Sequence, residues 1–148
     1  MRALFSARYL KARRFFRLGR RHSLLLLRCW WLVARVRLDL TIASYRTVLE
    51  KIDRLASDRS FLNRCDPILV AWAVRHASKL VPRATCLTQA LSVRWLLARA
   101  GYDSTIRIGV ARTKSERVEA HAWVLFNDEI IIGSEKGEHL RFQQIVDL

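Results

Sequence analysis

The sequence predicts an α+β protein in which several helices precede an antiparallel β-sheet. Apolar residues recur at helical spacing up to Gly101, and after it the period of the pattern shortens to two residues, as in strands. A chain of 148 residues can bury about 70% of the surface that its unfolded form exposes, so it needs no disulfide or metal to fold. We predict a basic, Trp- and Leu-rich helical segment over residues 1–64 and a core over residues 65–148.

Positive charge is concentrated near the N-terminus. Residues 1–37 contain 11 lysines and arginines and no acidic residue, within a formal net charge of +14 for the whole chain. Such a block attracts phosphates, anionic lipid headgroups or an acidic protein, and a solvated cationic helix face is the alternative. Because the chain has no recognised nucleic-acid-binding motif, no specific nucleic acid is expected as a partner.

Residues 22–40 are predicted to form a strongly apolar helix, which is either mostly buried or laid in a membrane interface. Arginines interrupt every window of the ~20 apolar residues that a transmembrane helix needs, and the segment lacks the cleavage site of a signal peptide. We therefore expect a cytoplasmic protein, and attachment to the inner face of the membrane through residues 1–37 stays open.

Two further helices are predicted before the core, a weakly patterned one over residues 3–20 and an amphipathic one over residues 41–56. Asp66 and Pro67 then form a strong helix start, with an acidic N-cap and a proline at the first helical position. Pro82 ends this helix, because the residue before a proline is disfavoured in the α region. Its expected buried side consists of Leu69, Trp72, Ala73, His76 and Leu80. A structural role is expected for His76 on this side.

Thr85 is the predicted N-cap of the next helix, which runs from Cys86 to Ala100 with Gly101 as its C-terminal glycine. Its expected buried stripe consists of Leu87, Leu91, Trp95 and Ala98. Strands are predicted over residues 105–110, 118–126 and 129–132, with a last short strand over residues 140–145 and a turn at Asn127 and Asp128.

Two residues of this arrangement are candidates for chemistry, Cys86 at a helix start and His121 on a strand. The first turn of a helix favours a thiolate, which is the nucleophilic form of cysteine, and an imidazole within reach can accept its proton. The other cysteines, Cys29 and Cys65, form no C-x-x-C pair with it, so no metal site is expected and reduced thiols fit best. A thiol on a helix end facing an imidazole on a strand is how papain-like and transglutaminase-like enzymes build their active sites.

The motifs around both residues resemble those of a known family. The motifs are residues 81–91 (VPRATCLTQAL), 96–102 (LLARAGY), 106–110 (IRIGV) and 120–124 (AHAWV). In this order they resemble the lasso-peptide leader proteases, which are transglutaminase-like cysteine proteases of bacterial lasso-peptide gene clusters. The resemblance covers roughly residues 67–145.

This resemblance implies a transglutaminase/papain-like core, with the nucleophile helix packed on an antiparallel sheet, and an activity. Such enzymes remove the leader of a ribosomally made precursor peptide without a cofactor. A separate leader-recognition protein usually delivers the precursor, and an ATP-dependent cyclase then closes the freed core. By this resemblance Cys86 is the nucleophile and His121 the base.

The group that orients the histidine departs from the family pattern. The family often places an aspartate about twelve residues after the histidine, where this chain has Gly133. Glu135, Ser134 and Asp128 are nearby candidates, and a backbone carbonyl could also serve. The alternative function, favoured by this departure, is a catalytically degenerate adaptor of a peptide-maturation complex.

Overall fold

The computed structural model describes residues 20–57, 66–112, 117–134 and 140–148. Within them four helices precede a four-stranded antiparallel sheet, which confirms the predicted α+β architecture. The elements are α1 (Arg20–Ile42), α2 (Tyr45–Ser57), α3 (Pro67–Ser78), α4 (Cys86–Arg99), β1 (Thr105–Arg112), β2 (Val118–Phe126), β3 (Glu129–Ile132) and β4 (Gln143–Asp147). The helix predicted over residues 3–20 lies, but for its last residue, outside the described residues, and so does the boundary predicted after residue 64.

A short break separates α1 from α2, so the second helix begins at Tyr45 and not at residue 41 as predicted. The Ser44 hydroxyl accepts a hydrogen bond from the Thr47 N–H at 3.4 Å, so Ser44 acts as the N-cap of α2. Val48 and Ile52 of α2 are fully buried. No helix in the described part of the chain is long and apolar enough to cross a membrane.

Helix α3 begins as predicted, but the side that it buries overlaps the predicted side only in part. The Asp66 side chain accepts a hydrogen bond from the Ile68 N–H at 2.9 Å, and Pro67 occupies the first turn. The buried residues are Val70, Ala71, Ala73, Val74, Ala77 and Ser78. Leu80, predicted to be buried, lies beyond the end of the helix and is 73% exposed. The small side chains allow neighbouring helices to approach closely, which places the contact on the alanine side.

Helix α4 runs from Cys86 to Arg99, and Gly101 follows with a φ of 77°. It is largely surrounded, because its buried residues are Thr88, Ala90, Leu91, Ser92, Val93, Leu97 and Ala98. Of the predicted stripe, Leu91 and Ala98 are buried, whereas Leu87 and Trp95 are only half-buried. The helix packs against α1, α2 and α3 on one side and against β2 and β1 on the other.

The sheet has the strand order β3-β2-β1-β4, with every neighbouring pair antiparallel. Asn127 and Asp128 form the turn between β2 and β3 and both have positive φ values, 49° and 64°, as a tight hairpin turn requires. Strand β4 begins at Gln143, three residues later than predicted, because residues 140–141 form a 3₁₀ turn. Ile106, Ala122, Val124 and Ile132 on the sheet belong to the same hydrophobic core as the helices.

Candidate active site

Cys86 is the first residue of α4, and the helix start is well capped. The Thr85 hydroxyl accepts a hydrogen bond from the Thr88 N–H at 3.3 Å, and the Thr88 hydroxyl accepts one from the Thr85 N–H at 3.3 Å. Cys86 is half-buried at the margin of the hydrophobic core. The first N–H groups of a helix lack partners within it, so this end can stabilise a negatively charged oxygen close to the thiol.

His121 lies in β2, where it is paired with Gly109 of β1. Its ring is flanked by two aromatic rings at small interplanar angles. The ring of Phe142 lies 5.1 Å away at 25°, and that of Trp123 lies 6.1 Å away at 28°, measured between centroids. These contacts restrict rotation of the imidazole about its side-chain bonds.

A hydrogen bond to the backbone of Gly133 fixes the tautomer of His121. The Nε2 atom lies 2.6 Å from the Gly133 carbonyl oxygen. Since a carbonyl oxygen only accepts hydrogen bonds, Nε2 carries the proton, and Nδ1 is the unprotonated nitrogen of the neutral ring. Nδ1 makes no hydrogen bond to any residue that the structure describes, so it is available as a proton acceptor.

The Gly133 carbonyl thus occupies the orienting position that the sequence left open among several groups. Asp128 lies in the exposed turn after β2, and Ser134 is half-buried next to Gly133. Glu135 lies outside the described residues. A residue that orients through its backbone leaves no signature in its side chain, which is why sequence patterns do not reveal it.

A side chain at position 133 would not fit this backbone. Gly133 has a φ of +89°, which L-residues with a Cβ rarely adopt. An added Cβ would lie 2.6 Å from the Ala122 carbonyl oxygen and 2.7 Å from the Trp123 Cβ. The aspartate of the family pattern is therefore incompatible with this local geometry, and the carbonyl takes the hydrogen bond instead.

The structure does not join the two predicted site residues directly. Ala122 and Val124 of β2 belong to the core shared with the helices, whereas His121 and Trp123 lie on the opposite face of the strand with Phe142. No hydrogen bond connects the Cys86 thiol to His121, both of which lie in the described part of the chain. The pairing of Cys86 with His121 therefore stays a prediction.

The remaining histidine and cysteine predictions can be compared with the described residues. The His76 Nδ1 donates a hydrogen bond to the Trp72 carbonyl at 2.8 Å, and the two rings lie 4.4 Å apart, which confirms a structural role. Cys29 is fully buried, and Cys65 lies outside the described residues. No cluster of three or more His, Cys, Asp or Glu suited to a metal ion occurs among the residues described.

Of the aromatic neighbours of His121, the sequence pattern placed Trp123 on the same strand face, because it follows His121 by two residues. It missed Phe142 as a neighbour, because Phe142 is distant in sequence and precedes a strand whose start was predicted too early.

The chain was also compared with known proteins. A model of the transglutaminase-like superfamily matches residues 23–147, a range that extends from α1 to β4. No curated protein and no solved structure matches the chain. The resemblance inferred from the sequence motifs is therefore confirmed for the superfamily. Since the match covers most of the sequence, the chain belongs to the transglutaminase-like superfamily.

Proposed function

We propose that the protein is a cysteine peptidase that removes the leader from a ribosomally made lasso-peptide precursor. The observation that carries the peptidase assignment is the combination of Cys86 on a capped helix start with His121 held in the tautomer of a base. Both features are what thiol-based acyl transfer requires, since it needs a deprotonated sulfur and a positioned proton acceptor.

In the first half of the proposed reaction, the Cys86 Sγ attacks a carbonyl carbon of the leader while Nδ1 of His121 accepts the thiol proton. The N–H of Cys86, at the start of α4, stabilises the oxygen that becomes negatively charged. The tetrahedral intermediate then collapses, and the imidazolium gives its proton to the departing amine. That amine is the new N-terminus of the core peptide, and the leader remains attached as a thioester.

In the second half, water attacks the thioester and His121 accepts a proton from it. Collapse releases the leader as a carboxylic acid and returns the thiol. This cycle requires the His121 ring, which lies on the face of β2 away from the helical core, to come within reach of the Cys86 sulfur, with which it shares no hydrogen bond in the structure.

The substrate class rests on the sequence motifs, whose order around Cys86 and His121 resembles that of the lasso-peptide leader proteases. A leader-recognition protein and an ATP-dependent cyclase are the partners that this proposal implies. The freed amine is the group that such a cyclase would join to a side chain of the core.

The second candidate function is an adaptor that binds a peptide-maturation complex without cutting. Two observations favour it, namely the glycine in place of an acidic orienting residue and the missing hydrogen bond between Cys86 and His121. A peptidase would cleave a precursor when the purified chain is combined with the leader-recognition protein. An adaptor would bind the precursor and leave it intact.

The test is incubation with lasso precursors encoded near this gene, with and without the leader-recognition protein, followed by mass spectrometry. We expect leader and core fragments from the wild type, and a loss of at least about a thousandfold in rate for Cys86→Ala and for His121→Ala. Cys65→Ala, which also removes one thiol, is the matched control and should cut normally.

Cleavage by Cys86→Ala at the wild-type rate would contradict the peptidase assignment. Precursor binding without any cleavage by the wild type would favour the adaptor. Cleavage of unrelated peptides but of no lasso precursor would support the peptidase reaction and contradict the proposed substrate class.

A further inference from the structure

Helix α1 has a second apolar face that the rest of the described chain leaves uncovered. It consists of Leu24, Leu27, Trp31, Leu38 and Ile42, which are between 55% and 86% exposed. Their separations of three, four, seven and four residues place them along one side of the helix over nearly its whole length. Contiguous apolar surface of this kind usually marks a contact with a membrane or another macromolecule.

The orientation of this face is fixed by the opposite side of the helix. Cys29, Leu32, Val33 and Val36 are buried there, where α1 packs against α3 and α4. The helix therefore cannot turn its exposed leucines inward without removing these buried residues from the core. The outer face points away from the folded protein as a consequence of the packing.

Two arginines lie within the exposed face, and no acid does. Arg28 and Arg35 are exposed at positions between the apolar residues, and the guanidinium carbon of Arg35 lies 5.7 Å from the centre of the Trp31 ring. Residues 1–37 contain 11 basic residues and no acidic one. The first carboxylate, Asp39, lies 3.8 Å from Lys51 of α2 and is largely shielded from solvent.

We propose that this face of α1 lies on an anionic phospholipid surface. Its leucines, isoleucine and tryptophan enter the boundary between headgroups and acyl chains, and the arginines bind lipid phosphates from the same face. A lipid surface fits both properties of the face, because it offers hydrocarbon and negative charge side by side. A second copy of the chain fits worse, since pairing the two faces would bring together two blocks of like charge. The proposal does not depend on the peptidase reaction.

The test is co-sedimentation of the full-length protein with vesicles of phosphatidylglycerol and phosphatidylcholine, compared with vesicles of phosphatidylcholine alone. The wild type should bind the anionic vesicles and bind the neutral ones much more weakly. The double variant Trp31→Ser/Leu38→Ser should bind the anionic vesicles at least about tenfold more weakly, because two anchoring side chains are lost. Ile68→Ser/Leu80→Ser, which removes two exposed apolar residues elsewhere, is the matched control and should bind like the wild type.

Four outcomes would overturn the proposal. The first is wild-type protein that ignores anionic vesicles, and the second is equal binding by wild type and Trp31→Ser/Leu38→Ser. The third is that Arg28→Gln/Arg35→Gln loses vesicle binding while the apolar variant retains it, which would show electrostatic adsorption without insertion. The fourth is a change of oligomeric state in the apolar variant with vesicle binding intact, which would assign the face to a second copy.

Discussion

Gly133 contacts the candidate site through its backbone alone. Its carbonyl accepts the hydrogen bond from His121, and its positive φ and close neighbours leave no room for a side chain. Conformation and chemistry are thus connected at one position, because the backbone that excludes a Cβ is also the backbone that orients the imidazole.

A side chain at this position should cost stability and activity together. We expect Gly133→Ala to lower the free energy of unfolding by about 3 kcal/mol, since it combines a strained φ with overlap against Ala122 and Trp123. Urea denaturation measures the loss. Gly101→Ala, at another positive φ, is the control for strain alone and should leave precursor cleavage unchanged. Wild-type stability of Gly133→Ala would contradict the strain and the close contacts assigned to this position.

Residue types and spacing were enough to single out Cys86, His121 and Thr85 from the sequence. The helix start, the cap and the strand were predicted because each depends on local chemistry that a few neighbouring residues determine. The Gly133 carbonyl was only one of several open possibilities, since any residue offers a carbonyl and only the folded backbone decides which one points at the ring.

The capped start of α4 sets the position of the thiol. Thr85 and Thr88 exchange hydrogen bonds between their hydroxyls and backbone N–H groups, which holds the first turn in place. Replacing Thr85 by alanine should lower the free energy of unfolding by about 1 kcal/mol, and serine should restore most of it. Thermal unfolding followed by circular dichroism measures both. Equal stability of Thr85→Ala and wild type would contradict the capping role.

Strand β4 is attached to β1 partly by an ion pair that should make stability depend on pH. The Asp147 carboxylate accepts two hydrogen bonds from Arg107, at 2.7 and 2.9 Å, and this partner holds the pKa of Asp147 below its ordinary value of 3.8. Because the folded-state pKa is the lower one, the contribution is fully present above the ordinary value and is lost as the pH falls through the folded-state pKa.

Asp147→Asn should therefore cost stability at neutral pH and progressively less in acid. The pair is substantially exposed, so we expect a loss of only about 0.5 kcal/mol at pH 7. Urea denaturation of both proteins at pH 7 and below pH 4 measures the difference. A difference that grows on acidification would contradict the assigned direction.

The helices and strands themselves were well predicted, but the side that each of them buries was not always predicted correctly. In α3 the sequence pattern favoured the side with Trp72 and Leu80, because large apolar residues dominate a periodicity argument. The structure buries Ala77 beside the predicted Ala73 and leaves Leu80 exposed, since close helix packing selects small side chains and packing partners are not visible in a local pattern.

The helices before the nucleophile share their core with the rest of the chain. Leu32, Val33 and Val36 of α1 are buried, and burial of such side chains contributes roughly 1.5–3 kcal/mol each, against a total of about 5–15 kcal/mol for a typical domain. A fragment of residues 66–148 should therefore show no cooperative urea transition, whereas the full chain should. Cooperative unfolding of the fragment near the midpoint of the full chain would instead show that the predicted core over residues 65–148 is independent.

The proposed reaction requires a thiol from the helical layer and a ring from the sheet to act as a pair in solution. Alkylation of Cys86 by iodoacetamide, followed by mass spectrometry in a Cys65→Ser background, reports on this directly. Buried Cys29 stays unlabelled while the protein is folded, which provides an internal control. At pH 7 we predict alkylation of Cys86 that is at least about tenfold slower in His121→Ala than in the wild type. Equal rates in the two proteins would contradict the pairing on which the proposed function depends.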